Sequence, residues 1–375
     1  MYGYRMTTDN IFIGLMSGTS VDAVDAVAVK ITEHGYKIIS THSELISADL
    51  RAQILDLCDP QKESIQLLAE TDHQLGKLYA HATHQLLAKA NLKAGDIRAI
   101  GCHGQTIRHS PPGAEQIPFS LQIGDANVVA ADTNITVVAD FRRKDIALGG
   151  QGAPLAPGFH QFAFTENEIN RAIVNIGGIS NISLLEASGS CLGFDTGPGN
   201  VLMDLWSQIH LGTRYDHNGS WAAQGTPIPK LLTQMKADGF FALPAPKSTG
   251  RELFNINWLN NQLADFSEAA PQDIQATLLS LTAETISESI LALPQSIDEV
   301  FVCGGGAFNG CLMDSLTAKL TQVATTDALG ISPSWVECCA FAWLAKQRMA
   351  SMAGNLTSVT GATRQAVLGA VHLPD

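Results

Sequence analysis

Three glycine-rich turns in this sequence have the composition of anion or nucleotide sites. Gly14-Leu15-Met16-Ser17-Gly18-Thr19-Ser20-Val21-Asp22 sets glycine and hydroxyl side chains between two apolar runs. Backbone N–H groups and Oγ atoms in such a turn can surround an anion, although a tight hairpin without a ligand uses the same residues. It is not a P-loop, because no G-x-x-x-x-G-K-[ST] pattern occurs. Asn175-Ile176-Gly177-Gly178-Ile179-Ser180-Asn181 repeats the design later in the chain. Two such hairpins in matching positions can clamp a polyphosphate. In Phe301-Val302-Cys303-Gly304-Gly305-Gly306-Ala307-Phe308-Asn309 an apolar run enters a triple-glycine turn and opens a helix. Strand–glycine–helix turns are common in α/β proteins, but three glycines exceed what a tight turn requires. Backbone there can lie against a purine or ribose, with a helix N-terminus nearby.

Other polar residues stand where a cleft is expected. Asp195, in Gly193-Phe194-Asp195-Thr196-Gly197-Pro198-Gly199-Asn200, ends a strand-like run on a glycine–proline turn. It reads as a catalytic carboxylate, or as the N-cap of a helix starting near Asn200, a role worth about 1 kcal/mol. Asp145 follows Arg142, Arg143 and Lys144, so it is either a rival base or an ion-pair partner. His103, Gln105, Thr106 and Arg108 follow a buried-looking strand, where polar residues meet ligands in α/β folds. Lys247, Ser248, Thr249 and Arg251 form a polar loop, and Glu337 opens the last long helix.

The elements that must hold these residues read as follows. Ile11–Met16, a run through Val27, Val29 and Ile31, and Lys37–Thr41 suggest an antiparallel hairpin with a third strand. Helical periodicity covers 48–58 and 65–90, the latter with an apolar face broken only by Asp72. Ile97–Cys102 and Ile135–Ala139 look like buried parallel strands. The pattern then restarts with Ala172–Ile176, Ile182–Leu185 and Cys191–Asp195. Helices follow over 201–210, 228–236, 274–293, 307–320 and 335–350, with a strand at Glu299–Cys303. Repeated hairpin, strand and helices predict a duplicated α/β domain. The boundary is expected near 140–150: residues 1–140 form the first domain, with the C-terminal segment available to rejoin it, and 141–375 the second.

Composition sets the outer limits. The 375 residues suit two domains, and a net charge of −13 opposes a nucleic-acid surface. No apolar run approaches a membrane span of about 20 residues. Met1–Asn10 is polar and lacks a signal-peptide core. Seven cysteines, with Cys338 and Cys339 adjacent, suit free thiols in a cytoplasmic protein. A homodimer is compatible with the sequence.

The three glycine motifs, in this order, resemble the phosphate-1, phosphate-2 and adenosine motifs of the sugar kinase–actin–heat-shock ATPase superfamily. Together with GCHGQTIRH, ADFRRKDIALGGQGAPLAPGFH, GFDTGPGNVLMD and PKSTGRELFN, they resemble the anhydro-N-acetylmuramic acid kinase family from Ile11 to the C-terminus. Ala23 departs from the glycine expected there, and the residues before Ile11 carry no family motif. The resemblance implies two actin-like (ribonuclease H-like) α/β domains with an interdomain cleft for ATP and an amino sugar, and Mg²⁺ on the phosphates. It implies hydrolytic opening of a 1,6-anhydro bond and phosphorylation of O6. By the same resemblance Asp195 is the base. Nucleotide contacts fall on Ser17, Gly18, Thr19, Ser20, Val21, Asp22, Ala23, Val24, Asn175, Gly177, Gly178, Gly304, Gly305, Gly306 and Asn309. Sugar contacts are expected at His103, Gln105, Thr106, Arg142, Asp145 and Glu337. No metal ligand is assigned.

Overall fold

The computed structural model describes residues 10–33, 35–113 and 117–375. The polar segment before Asn10, expected to carry no family motif, lies outside the described residues.

The chain forms two compact units, one comprising the chain up to Ala163 with Trp335–Asp375, the other Phe164–Ser334. The division therefore falls after Ala163 and not at 140/141. Burial explains the difference. Asp145, on the far side of the expected boundary, accepts hydrogen bonds from Asn355 and Thr360 of the C-terminal segment, which fixes its neighbourhood in the first unit.

The first unit begins with an antiparallel meander, β1 (Ile11–Met16), β2 (Ala23–Ile31) and β3 (Tyr36–Leu45). Helices α1 (Ala48–Cys58) and α2 (Ile65–Ala90) follow, then β4 (Ala99–Cys102), a separate hairpin of β5 (Gln105–Ser110) and β6 (Phe119–Ile123), α3 (Ala126–Thr133) and β7 (Val137–Ala139). Short helices α4 (Arg143–Ala147) and α5 (Ala156–Phe164) complete this part. β4 runs parallel to β1, and β7 parallel to β4. One hydrophobic cluster joins Ile13, Leu15, Ile100 and Val137 of the sheet to Ile54, Leu75, Tyr79 and Val129 of the helices.

The second unit repeats the plan. Its meander is β8 (Arg171–Ile176), β9 (Ile179–Leu185) and β10 (Cys191–Pro198). Helices α6 (Val201–Leu211), α7 (Pro229–Lys236), α8 (Ile256–Gln262) and α9 (Pro271–Leu291) precede β11 (Glu299–Cys303), α10 (Gly310–Thr317) and β12 (Val323–Thr325). β11 runs parallel to both β8 and β12. The C-terminal segment then returns to the first unit as α11 (Val336–Met349), α12 (Thr357–Thr360) and β13 (Ala370–His372), which pairs with β7.

Sheet orders β13-β7-β4-β1-β2-β3 and β10-β9-β8-β11-β12 make the duplication explicit. In each, a meander lies beside parallel strands, the α/β arrangement anticipated from the pattern. A helix expected over 307–320 instead begins as a 3₁₀ turn, Gly305–Phe308, and becomes α-helical only at Gly310. Among the described residues no helix is long and apolar enough to cross a membrane.

Candidate active site

In open α/β sheets ligands gather beyond the carboxyl ends of the strands, and the polar residues of the first unit do so here. β1 ends in the turn Ser17–Asp22, closed by Val21 N–H donating to Gly18 O at 3.1 Å. Val21 adopts φ +55°, a costly conformation for a β-branched residue and one that concentrates at functional turns. A Cβ on Gly18 would meet nothing within 4 Å, so its backbone borders open space. Ser17 Oγ is buried and lies 2.7 Å from the Tyr79 hydroxyl. Val24, expected at the nucleotide, is fully buried in the core, and Ala23 lies in β2. Asp22 lies 3.7 Å from Arg51.

His103 follows β4, and Arg142 lies beyond the end of β7. Arg142 Nη2 and Nε approach His103 Nε2 at 2.8 and 3.1 Å, while Nη1 donates to Gly152 O at 2.8 Å. Burial and the adjacent guanidinium push the His103 pKa well below its ordinary value. The ring is therefore neutral and accepts through Nε2. Gln105 is buried on β5, and Thr106 Oγ1 accepts from Gln122 Nε2 at 3.0 Å. Arg108 pairs with Glu63 at 2.6 Å. Glu337 lies in the first turn of α11, partly exposed.

Asp145, expected as a sugar contact, is taken up by the fold in this structure. Its side chain is 0% exposed. Oδ1 accepts from Asn355 Nδ2 at 2.7 Å and Thr360 Oγ1 at 2.8 Å, and Oδ2 from Gly152 N–H at 2.9 Å. A carboxylate so enclosed braces the fold. Two of the cations beside it look elsewhere, Arg143 to Asp140 at 2.7 Å and Arg142 to His103.

In the second unit the turn Gly177–Gly178 joins β8 to β9. Its carbonyls accept from the start of α6: Gly199 N–H and Val201 N–H donate to Gly178 O at 2.9 and 3.1 Å, and Asn200 N–H to Gly177 O at 2.8 Å. Helix N-termini leave such donors unmatched, so the hairpin caps α6 and is anchored by it. Asn200 is the N-cap residue of α6 without a side-chain cap bond, which removes the capping alternative for Asp195.

Asp195 is 6% exposed and stands at a register shift between Asp195 and Gly197 on β10. Its N–H donates to Lys247 O at 3.0 Å, and its Oδ2 accepts from Thr249 N–H at 2.9 Å. The polar loop is thus a strap that orients this carboxylate. Lys247 donates to Phe240 O and Phe241 O and lies 4.6 Å over the Phe240 ring. Burial lowers its pKa, against the opposing pull of Asp195. In register, Asn181 on β9 faces Asn175 on one side and Asp195 on the other. Sequence reasoning quoted Asn181 in the second glycine motif and gave it no role.

The triple glycine follows β11. Gly304 has φ +78°, and a Cβ there would lie 2.4 Å from Asn175 Oδ1. A Cβ on Gly306 would lie 2.4 Å from Ile176 Cγ2, whereas on Gly305 the nearest atom is Asn200 Nδ2 at 3.5 Å. Asn309, expected at the nucleotide, is the N-cap of α10, accepting from Leu312 N–H at 3.1 Å.

A phosphate-bound Mg²⁺ retains several waters and needs only one or two protein carboxylates. Among the described residues no group of three or more His, Cys, Asp or Glu could hold a metal. Asp22, partly exposed beside the first glycine turn, suits that sparse requirement.

Comparison with known proteins supplies independent information. A family model described as anhydro-N-acetylmuramic acid kinase matches residues 10–374. The chain is 51% identical over 361 residues to an anhydro-N-acetylmuramic acid kinase of Shewanella oneidensis, covering 96% of this chain and 97% of that one. Against a protein of the same description from Vibrio cholerae it is 47% identical over 373 residues, covering 99% and 100%. One from Saccharophagus degradans is 47% identical over 370 residues, covering 97% and 99%.

Proposed function

We propose a mechanism from one premise: this chain belongs to the anhydro-N-acetylmuramic acid kinase family. It is an ATP-dependent sugar kinase of cell-wall recycling, acting on anhydro-N-acetylmuramic acid. The observation that carries the mechanism is Asp195, a buried carboxylate held by the 247–249 strap and capping no helix.

Asp195 takes a proton from a water whose oxygen bonds to C1 of the sugar. The C1–O6 bond breaks, and its electrons leave O6 as the acceptor for the γ-phosphoryl group. O6 bonds to the γ-phosphorus as the bond to the β,γ-bridging oxygen breaks, releasing ADP. The proton on Asp195 returns to solvent. Phosphoryl transfer of this kind depends on positioning and charge neutralisation more than on covalent help from the protein. Backbone of the Ser17–Asp22 turn and of Gly177, Gly178 and Gly305 serves the nucleotide in this reading. Mg²⁺, held through Asp22, would neutralise charge on the phosphates. Arg142, fixed by His103 and Gly152 O, serves the lactyl carboxylate of the sugar, with Gln105, Thr106 and Glu337 as further contacts.

Asp195→Asn is expected to fold and bind ligands yet lose about 10²–10⁴ in kcat, the usual weight of a general base. Asp145→Asn places an amide among donors and is expected to lower stability first. Turnover in ¹⁸O water tests the chemistry directly. Label is expected at the anomeric oxygen of early-quenched product and not in the C6–O–P bridge. Product without anomeric label, measured against an exchange control, would hand the case to an ordinary kinase acting on an opened sugar.

A further inference from the structure

A lysine in an exposed loop ordinarily keeps its ammonium in water and lays only its stem on the protein. Lys247 does the opposite. Residues 243–246 before it are exposed, yet its Nζ turns inward to Phe240 O at 3.2 Å and Phe241 O at 3.3 Å. It stands 4.6 Å from the centroid of the Phe240 ring. Burial disfavours its charge there. A cation held at such a cost breaks a local rule in the way functional sites do.

The two carbonyls belong to a 3₁₀ turn, Gly239–Ala242, that is secured without the lysine. Asp238 accepts from Phe240 N–H and from Trp258 Nε1, both at 2.9 Å. Phe240 and Trp258 each meet Phe254 edge-on, with ring centroids 5.7 and 5.2 Å apart. Phe241 lies against β10 itself, since a Cβ on Gly197 would come within 2.7 Å of its ring. Beyond the lysine, the 247–249 strap holds Asp195 through two bonds, Asp195 N–H to Lys247 O and Thr249 N–H to Asp195 Oδ2. The ammonium thus joins a packed aromatic platform to the segment that aims the carboxylate.

We propose that Lys247 is a positioning residue for the reaction: by tying the strap to the Phe240–Phe241 turn, it fixes the direction of the Asp195 carboxylate. The ammonium need touch neither sugar nor nucleotide for this. Its effect passes through Thr249, whose N–H holds Oδ2 only while the strap keeps its place. Base catalysis depends on such alignment, and a misplacement of about 1 Å can cost about 10²-fold in rate. Reacting side chains stay within productive geometry when their supports are themselves locked. This inference rests on the assignment of Asp195 as base.

The test is Lys247→Met, which keeps a stem over the Phe240 ring and removes the donors. Hydrogen exchange at the Thr249 amide, read by NMR on the full-length protein, is expected to quicken about tenfold or more as local opening becomes easier. kcat should fall by about tenfold to a hundredfold, with the ATP KM kept and the thermal midpoint close to that of the parent. Lys247→Arg, which restores donors to the carbonyls, should recover most of the exchange protection and of kcat. A merely structural lysine predicts a lowered midpoint with unchanged turnover of the folded protein, and that result overturns the proposal. So does unchanged exchange at Thr249. Should Lys247→Met fail to fold, the same readings on Lys247→Gln decide. Asp195→Asn made in parallel separates the two ideas. If it stays active, the base assignment falls and takes this inference with it. If it is inactive while Lys247→Met turns over normally, only the role of Lys247 is lost.

Discussion

The three glycines after β11 answer to different constraints. Gly304 needs its positive φ and the space beside Asn175, and Gly306 needs the space beside Ile176. Gly305 meets no such demand, since an added Cβ would reach ordinary contact distance at 3.5 Å. Gly305→Ala is therefore expected to unfold at nearly the parent temperature while raising the ATP KM severalfold. Gly304→Ala should cost at least about 1 kcal/mol of stability from backbone strain alone. Thermal melts and ATP titrations of the two variants check this, and equal behaviour in both assays would mean that Gly305 does not border the nucleotide. Sequence alone makes all three a flat platform for a ligand, because composition reports absent side chains without saying what fills the space. The same ambiguity affects Ser17, Asn309 and Asp145. Each has a polar group suited to a ligand, and each spends it on Tyr79, Leu312 or the C-terminal segment. Only distant neighbours distinguish these uses, and Tyr79 is 62 residues from Ser17.

At the level of elements, packing of α11 on the first sheet is unusually close. A Cβ on Gly14 would lie 1.8 Å from Cys338 O, and one on Gly101 2.0 Å from Phe341 O. These strands admit helix backbone where side chains normally intervene. Gly14→Ala or Gly101→Ala must push the helix away, and about 1–3 kcal/mol of destabilisation is expected, the range for overpacking. Denaturant midpoints of each variant provide the measurement; values within error of the parent would mean that α11 moves aside freely. Gly14 stands in the first glycine motif, yet its constraint is this helix. Elements with strong periodicity were legible: α1, α2 and β11 have their expected limits. Even Asp72, the break in the apolar face of α2, finds its reason in Gly124 N–H, which donates to Asp72 Oδ1 at 2.7 Å. The β5–β6 hairpin was not legible. Its first strand, QTIRHS, is largely polar and carries Gln105 and Thr106, which obscures the apolar alternation that marks a strand, whereas FSLQI does alternate but is only five residues long.

Across the whole molecule, the two units are connected differently. The second is one continuous stretch, whereas the first needs both ends of the chain. Residues 164–334 expressed alone are expected to fold cooperatively, with a dispersed amide NMR spectrum. Residues 1–163 alone should not, since they lack α11 over β1 and β4 and lack β13 beside β7. Adding 335–375 as a separate peptide should restore order to 1–163, and a well-dispersed spectrum without it would refute this account. Duplication itself was readable from the restarted pattern, but the strand that closes the first sheet, β13, is only Ala370–His372 and too short to announce itself.

That discontinuity has a consequence during synthesis. Ribosomes usually let an N-terminal domain fold first. Here the N-terminal unit must wait for the last helix and strand, while the middle of the chain can fold as soon as it emerges. At about 5–20 residues per second the wait is on the order of ten to forty seconds. Throughout it Phe12, Ala99 and Val138, buried in the finished protein, have no α11 to cover their side of the sheet. The nascent chain, more than the mature enzyme, is the form that leaves this apolar face open to solvent.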